Sequence, residues 1–325
     1  MNKKQLKSFA KGSAVSLVGA GILGIINYFI RRTLALNLSE NDYGFIYSAF
    51  ALVMPIIIFL DLGMTQSTTI LLAKCFAKKD SREAGKIFSH AFYIKLTLAV
   101  VVFIILELSS PYITRYYMKY PGGNLPLMLI LSLIISKSLE GIFFCVVTAK
   151  KSFSTQQLLR NISALIILIM VLTGARQYGL NYCIAAFVVG SIVTAIIAAP
   201  ILTKKYELKI KPPSSLDRKM INEIFSISTW IAISAAGMSL MYYMDTACLT
   251  LLKGLEAVSM YNIALPIMQI AQSFFVFPAI FTPIVAEMHQ KKDYAGIRKS
   301  CIIANLGMLL ALPVLYLSAH FLERI

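Results

Sequence analysis

Leu38-Ser39-Glu40-Asn41-Asp42-Tyr43-Gly44 is a polar corner that opens an apolar run from Phe45 to Leu60, and Asp61-Leu62-Gly63 breaks that run before it resumes towards Lys74. About 20 consecutive apolar residues suffice for a helix to cross a bilayer. A carboxylate near the bilayer centre costs about 2.5–3.5 kcal/mol on insertion scales, so Asp61 is expected to face protein or water rather than lipid. The layout returns further on. A second polar corner, Lys253-Gly254-Leu255-Glu256 through Tyr261-Asn262, precedes another apolar run, and Gln290-Lys291-Lys292-Asp293 echoes Ala77-Lys78-Lys79-Asp80. The chain reads as two copies of one helical layout.

Composition sets the class. Of 325 residues, 58% are hydrophobic and only 14% are charged, which is more apolar surface than one soluble core can use. A net charge of +16 would suggest a nucleic-acid partner in a soluble domain. Here the lysines and arginines sit mostly in short loops between apolar runs, where they orient helices, and no nucleic-acid partner is expected. The five cysteines and three histidines show no ligand spacing, so neither a disulfide framework nor a metal site or other cofactor is implied.

Apolar runs at 12–38, 45–72, 87–108, 125–148, 158–173, 180–202, 224–252, 261–285 and 302–321 predict an all-α polytopic membrane protein with about nine transmembrane helices. Lys3, Lys4, Lys7 and Lys11, the Lys74–Lys86 region, Lys150 and Lys151, and the lysines of 203–223 all fall on one side. The positive-inside rule makes that side cytoplasmic, with Met1 inside and Ile325 outside. The linker 203–223, with Pro212-Pro213-Ser214-Ser215, divides a six-helix first bundle (1–202) from a second bundle (224–325) that is incomplete, with three helices. Asn27 and Asp245 each lie sixteen residues before the tyrosine of their corner, Tyr43 and Tyr261, so the bundles are expected to be related by a pseudo-twofold repeat.

Ionisable groups inside apolar spans are the candidates for function. Asp61 and Lys95 lie at similar distances from the turn joining their spans, which suits an ion pair. Lys137 and Glu140, at i and i+3, share one helical face and can neutralise each other. Asp245 has no opposite charge within a turn of its own helix, and Arg31 and Arg32 lie near the outer end of the first span, where one can anchor at the interface while the other faces a cavity. Pro55, Pro266, Pro278 and Pro283 fall within spans and permit bending. No external segment longer than 109–124 is present to carry catalytic acids, and no phosphate-loop pattern appears, so transport is expected rather than enzymatic catalysis.

The run from Leu38 to Gly44, then Leu60-Asp61-Leu62-Gly63-Met64, the basic 73–86 loop, and Tyr243-Met244-Asp245 before the second corner resemble the polysaccharide flippases of the multidrug, oligosaccharidyl-lipid and polysaccharide exporter superfamily. The resemblance implies two helical bundles around a central cavity, and translocation of lipid-diphosphate-linked oligosaccharide units across the cytoplasmic membrane by alternating access. Such relatives have twelve to fourteen spans, so this chain is expected to be a fragment, or a shortened protein that needs a partner chain to supply the missing helices. On this reading Arg31, Arg32, Asn27, Lys137 and Asp245 are expected to bind substrate, because a diphosphate crossing a low-dielectric region needs cations and polar groups to meet it. Asp61, Lys95 and Glu140 are expected to serve as coupling groups or in structural ion pairs. The alternatives are a cation-coupled multidrug exporter of the same superfamily, for which Asp61, Glu140 and Asp245 supply carboxylates, and an inactive membrane scaffold.

Overall fold

The computed structural model describes residues 3–150, 152–202 and 218–273, together with residues 294, 296, 298 and 302. The ninth expected span beyond its first residue, Pro278, Pro283 and Ile325 lie outside the described residues, as does most of the 203–223 linker. The chain divides into two units, Met1–Tyr261 and Asn262–Ile325. In the second unit the described stretch continues a helix that begins in the first.

The helices are α1 (Lys3–Asn37), α2 (Glu40–Asp61), α3 (Met64–Ala77), α4 (Ser81–Tyr112), α5 (Asn124–Leu131), α6 (Leu133–Ala149), α7 (Phe153–Pro200), α8 (Arg218–Leu252) and α9 (Leu255–Ser273). Among the described residues, four stretches, Glu40–Ala77, Ser81–Met118, Asn124–Ala149 and Phe153–Pro200, are long and apolar enough to cross a membrane. The last is 48 residues long, about 70 Å if straight, more than twice a hydrocarbon core. It turns at Gly179 (φ 67°) into two arms, which match the fifth and sixth expected spans. The first arm begins at Phe153, five residues before the apolar run expected at 158–173, which brings Arg160 well inside the helix.

Local chemistry explains where these helices start and stop. Ser39 caps α2 by accepting the Asp42 N–H at 3.1 Å, and Glu40 and Asp42 place negative charge in the positive first turn. Pro55 sits inside α2, but the chain leaves helical geometry only at Leu62 (φ 43°) and Gly63 (φ 72°). Gly63 is required there twice over, by its left-handed backbone and because a Cβ would lie 2.5 Å from the Ser228 carbonyl oxygen of α8. Asp80 caps α4 by accepting the Glu83 N–H at 2.9 Å. Beyond α4 a π-helical turn, Ile113–Met118, ends at Lys119 (φ 50°).

Two apolar clusters form the interior of the first unit. One gathers Leu34, Tyr43, Phe45, Ile130, Leu131, Val171 and Ile184 with Leu255 and Val258 of α9. The other gathers Met64, Leu72, Phe88, Phe143, Val146, Ala198 and Ile224. The first draws on residues near the Ser39 and Gly254 corners, the second on residues near the Lys78-Lys79 turn. Lipid tails are as apolar as these side chains, so close packing and polar contacts must hold the helices together. Gly44 does so at one end, where a Cβ would lie 2.1 Å from the Leu255 carbonyl oxygen, bringing the Ser39 and Gly254 corners into direct contact. Ser48 joins Thr250 at 2.9 Å, and Ser67 joins Ser228 at 2.8 Å, so α8 is pinned along both α2 and α3.

Candidate functional site

Between the two apolar clusters lies a layer of charge built on the α2 break. Ending α2 at Asp61 frees its carboxylate, which accepts from Thr65 Oγ1 at 2.6 Å and from the Thr65 N–H at 3.3 Å and so steadies the start of α3. Lys95 of α4, 5% exposed, reaches the same carboxylate and also donates to Thr65 Oγ1 at 2.8 Å. Gly141 of α6 leaves room for this ammonium, which would sit 3.0 Å from a Cβ at that position. Four helices, α2, α3, α4 and α6, therefore close around one ion pair.

A second pair occupies the same layer. Lys137 Nζ lies 2.5 Å from Glu140 Oε2, and that oxygen also accepts from Ser191 Oγ at 3.0 Å, across to the second arm of α7. Glu140 is 8% exposed, whereas the Lys137 side chain is 33% exposed. The difference arises from a cavity of about 410 Å³ bounded by α1, α2, α6 and α7, with Asn27, Lys137, Glu140, Arg160 and Ser163 supplying its polar groups. Arg160 lies over the Phe144 ring at 5.5 Å. Among the described residues no carboxylate is within ion-pair reach of it, and the Asn27 amide has no hydrogen-bond partner.

The remaining expected residues lie elsewhere. The Arg31 guanidinium stacks 4.7 Å over Tyr47 and is close enough to Tyr43 and to Tyr243 of α8 to act on both electrostatically, which places it where α1, α2 and α8 meet. Arg32 is exposed, and neither arginine lines the cavity that holds Asn27 and Lys137. Asp245 is exposed on α8 and accepts from Tyr261 Oη at 3.0 Å, a partner on the next helix. The structure thus joins Asp61 with Lys95, and Asn27 with Lys137 and Glu140, and leaves Arg31, Arg32 and Asp245 apart from both groups.

Three features were not singled out from the sequence. Arg160 looked like a flanking charge of a short span. Ser191 gave no signal, since one serine in an apolar run carries no pairing information. The third is a cavity of about 340 Å³ where three turns converge, lined by Asn41, Lys119, Tyr120, Lys253 and Glu256. There Tyr120 Oη donates to Asp42 Oδ1 at 2.5 Å. Burial, that bond and the nearby carboxylate charge together push the Tyr120 phenol up to about 12. Among the described residues no group of three or more His, Cys, Asp or Glu is placed to hold a metal ion.

Known proteins share this fold. An inward-facing multidrug resistance MATE family transporter of the MOP superfamily superposes with a TM-score of 0.77 at 14% identity, over 92% of this chain and 72% of that one. A MOP superfamily transporter from Pyrococcus furiosus, described as having a binding pocket of reverse polarity, superposes with a TM-score of 0.55 at 14% identity, over 87% of this chain and 73% of that one. The all-α membrane fold is therefore MATE-like. An uncharacterized membrane protein of Methanocaldococcus jannaschii is 24% identical over 96% of this chain, which spans 64% of that relative's length. The sequence profile described as polysaccharide biosynthesis protein matches residues 9–289, and the chain belongs to that family.

Proposed function

We propose that the chain acts in a membrane transporter that moves lipid-diphosphate-linked oligosaccharide units across the cytoplasmic membrane by alternating access, with its amino terminus in the cytoplasm. On this reading 1–202 forms one bundle, 203–223 a cytoplasmic linker and 224–325 part of a second. A chain that completes the second bundle is a further expected partner, beside the lipid-linked substrate and membrane lipids.

The observation that carries the reading is how charge is balanced across the layer. A cation exporter needs carboxylates open to its substrate. Asp61 is taken up by Lys95 and Thr65 and Glu140 by Lys137 and Ser191, while Asp245, exposed beside Tyr261, lies outside this cavity. The cavity bounded by α1, α2, α6 and α7 instead offers an amide, a hydroxyl and one positive charge beyond what Glu140 neutralises. Such a lining suits a diphosphate bearing hydroxylated sugars, because charge-assisted bonds to phosphate oxygens are the strong ones available there. Asn27 and Lys137 are the substrate contacts on this reading. Arg31, between α1, α2 and α8, meets the anion where the two repeats adjoin. Asp245, exposed beside Tyr261, accepts from sugar hydroxyls.

The test is complementation of a strain lacking its own lipid-linked sugar flippase, with membrane protein level measured alongside. Wild type should restore surface polysaccharide, and K137Q and R31Q should fail to do so at normal protein level. Restored resistance to cationic drugs without restored polysaccharide would favour the multidrug reading and overturn this one.

A further inference from the structure

The Lys137–Glu140 pair has a property that the Asp61–Lys95 pair lacks: its cation lines an open cavity, and its carboxylate keeps a partner when that cation leaves. Glu140 Oε2 accepts from both Lys137, at 2.5 Å, and Ser191, at 3.0 Å. Lys137 lines an open cavity on a flexible four-carbon stem, and Glu140, 8% exposed at the wall of the same cavity, is held by Ser191 of α7. Arg160 faces the same cavity with no carboxylate among the described residues to neutralise it.

We propose that Glu140 is a built-in stand-in for the ligand's anion, which a diphosphate displaces from Lys137. Arg160 makes the first contact. Lys137 then swings from Glu140 to the second phosphate, and Ser191 retains the Glu140 carboxylate so that it is not left without a donor. The ion pair thereby sets the strength of binding: it keeps the cavity close to neutral when empty and releases a second cation only to a group that carries at least two negative charges. No bond is made or broken in this exchange, and its roles for Arg160, Glu140 and Ser191 rest on the anionic-substrate reading given above.

Binding to the purified full chain in nanodiscs, measured by calorimetry, tests the exchange. Inorganic pyrophosphate reports on the anion alone, geranylgeranyl diphosphate on the same anion carried by a lipid, and geranylgeraniol on the lipid tail without charge. R160Q should weaken both diphosphates roughly tenfold to a hundredfold, as expected for losing one charge-assisted bond, and leave the alcohol unchanged. R160K should recover part of that loss. E140Q should strengthen both diphosphates several-fold, because it frees Lys137 in advance, and this gain should vanish in the K137Q background. Tighter binding of the lipid-linked probe than of pyrophosphate assigns the site to a lipid headgroup; equal binding assigns it to a free diphosphate, and both agree with the exchange. Wild type that binds diphosphates while E140Q binds them no better, or while R160Q binds them as well, overturns the proposal and leaves the export reading standing. Wild type that prefers neither diphosphate to the alcohol overturns both.

Discussion

Two ion pairs share one layer of this protein and differ in almost every other respect. Asp61–Lys95 is closed: four helices meet around it, Thr65 supplies two further bonds, and Lys95 is 5% exposed. Lys137–Glu140 is open, with its lysine on a cavity and its carboxylate shared with a serine. Charge inside a membrane span thus serves two purposes here. A pair whose hydrogen-bonding capacity is used within the protein fixes a helix break, whereas a pair that lines a cavity has capacity left for a ligand.

The closed pair gives the largest expected effect. K95A strands a carboxylate at the α2 break and should destabilise the protein by about 3–5 kcal/mol, read as lost membrane protein or as a shifted denaturation midpoint in mixed micelles. The double variant D61L/K95M, which removes both charges, should recover most of that loss. If K95A proved as stable as wild type, the difference between the pairs would disappear.

Next comes the break itself. G63A places a methyl group on a residue with φ 72° and 2.5 Å from the Ser228 carbonyl oxygen, so α3 and α8 must separate or the turn must strain. A loss of about 1–3 kcal/mol is expected by the same denaturation measurement. G85A, at a half-buried helical position with nothing within 4 Å, is the control and should leave the midpoint unchanged or raise it slightly. Equal midpoints for the two variants would show that the break tolerates a side chain and is not fixed by its contact with α8.

The open pair should respond the other way round. K137Q removes a lysine that is a third exposed, so the stability change should stay below about 1 kcal/mol. Export in the complementing strain should nevertheless fall about tenfold, the loss expected for one charge-assisted contact. A large fall in protein level with export per molecule unchanged would make this pair structural too.

How far these roles were legible in the sequence follows from what each depends on. The corners, the α2 break and the helical runs are one-dimensional features, carried by Ser39, Asp61-Leu62-Gly63 and the apolar stretches themselves. The number of spans is not fixed by the described residues. Partners one turn apart, Lys137 and Glu140, are readable from spacing, and Asp61 with Lys95 from equal distances to a shared turn. Contacts that depend on how helices rotate about their own axes are not readable in this way. Glu140 with Ser191, Arg31 with Tyr47 and Tyr243, and Asp245 with Tyr261 belong to that group. Arg160 was not singled out for a different reason: hydropathy detects the apolar centre of a helix, and this residue, the eighth of α7, lies before it.

The smallest expected effect lies outside the layer, where the comparison can be sharpened by a contact that holds no ion pair. Tyr120 Oη donates to Asp42 at 2.5 Å beside the turn that follows α4, and its phenol is pushed up to about 12 from an ordinary value near 10. A group whose proton is held more tightly in the folded state contributes stability that is fully present below its unfolded value and is lost as pH rises through its folded value. The contribution of Tyr120 is therefore intact at neutral pH and declines between about pH 10 and 12, as the phenolate forms beside the Asp42 carboxylate. Lysines titrate in the same window, so the measurement is a difference: the fall in denaturation midpoint of wild type between pH 9 and 11.5 minus that of Y120F. Wild type should fall further, because only it has the phenol to lose, and D42N should reduce the excess by removing both the acceptor charge and the repulsion. Parallel curves for wild type and Y120F would mean that the Tyr120–Asp42 bond does not tie this turn to the start of α2.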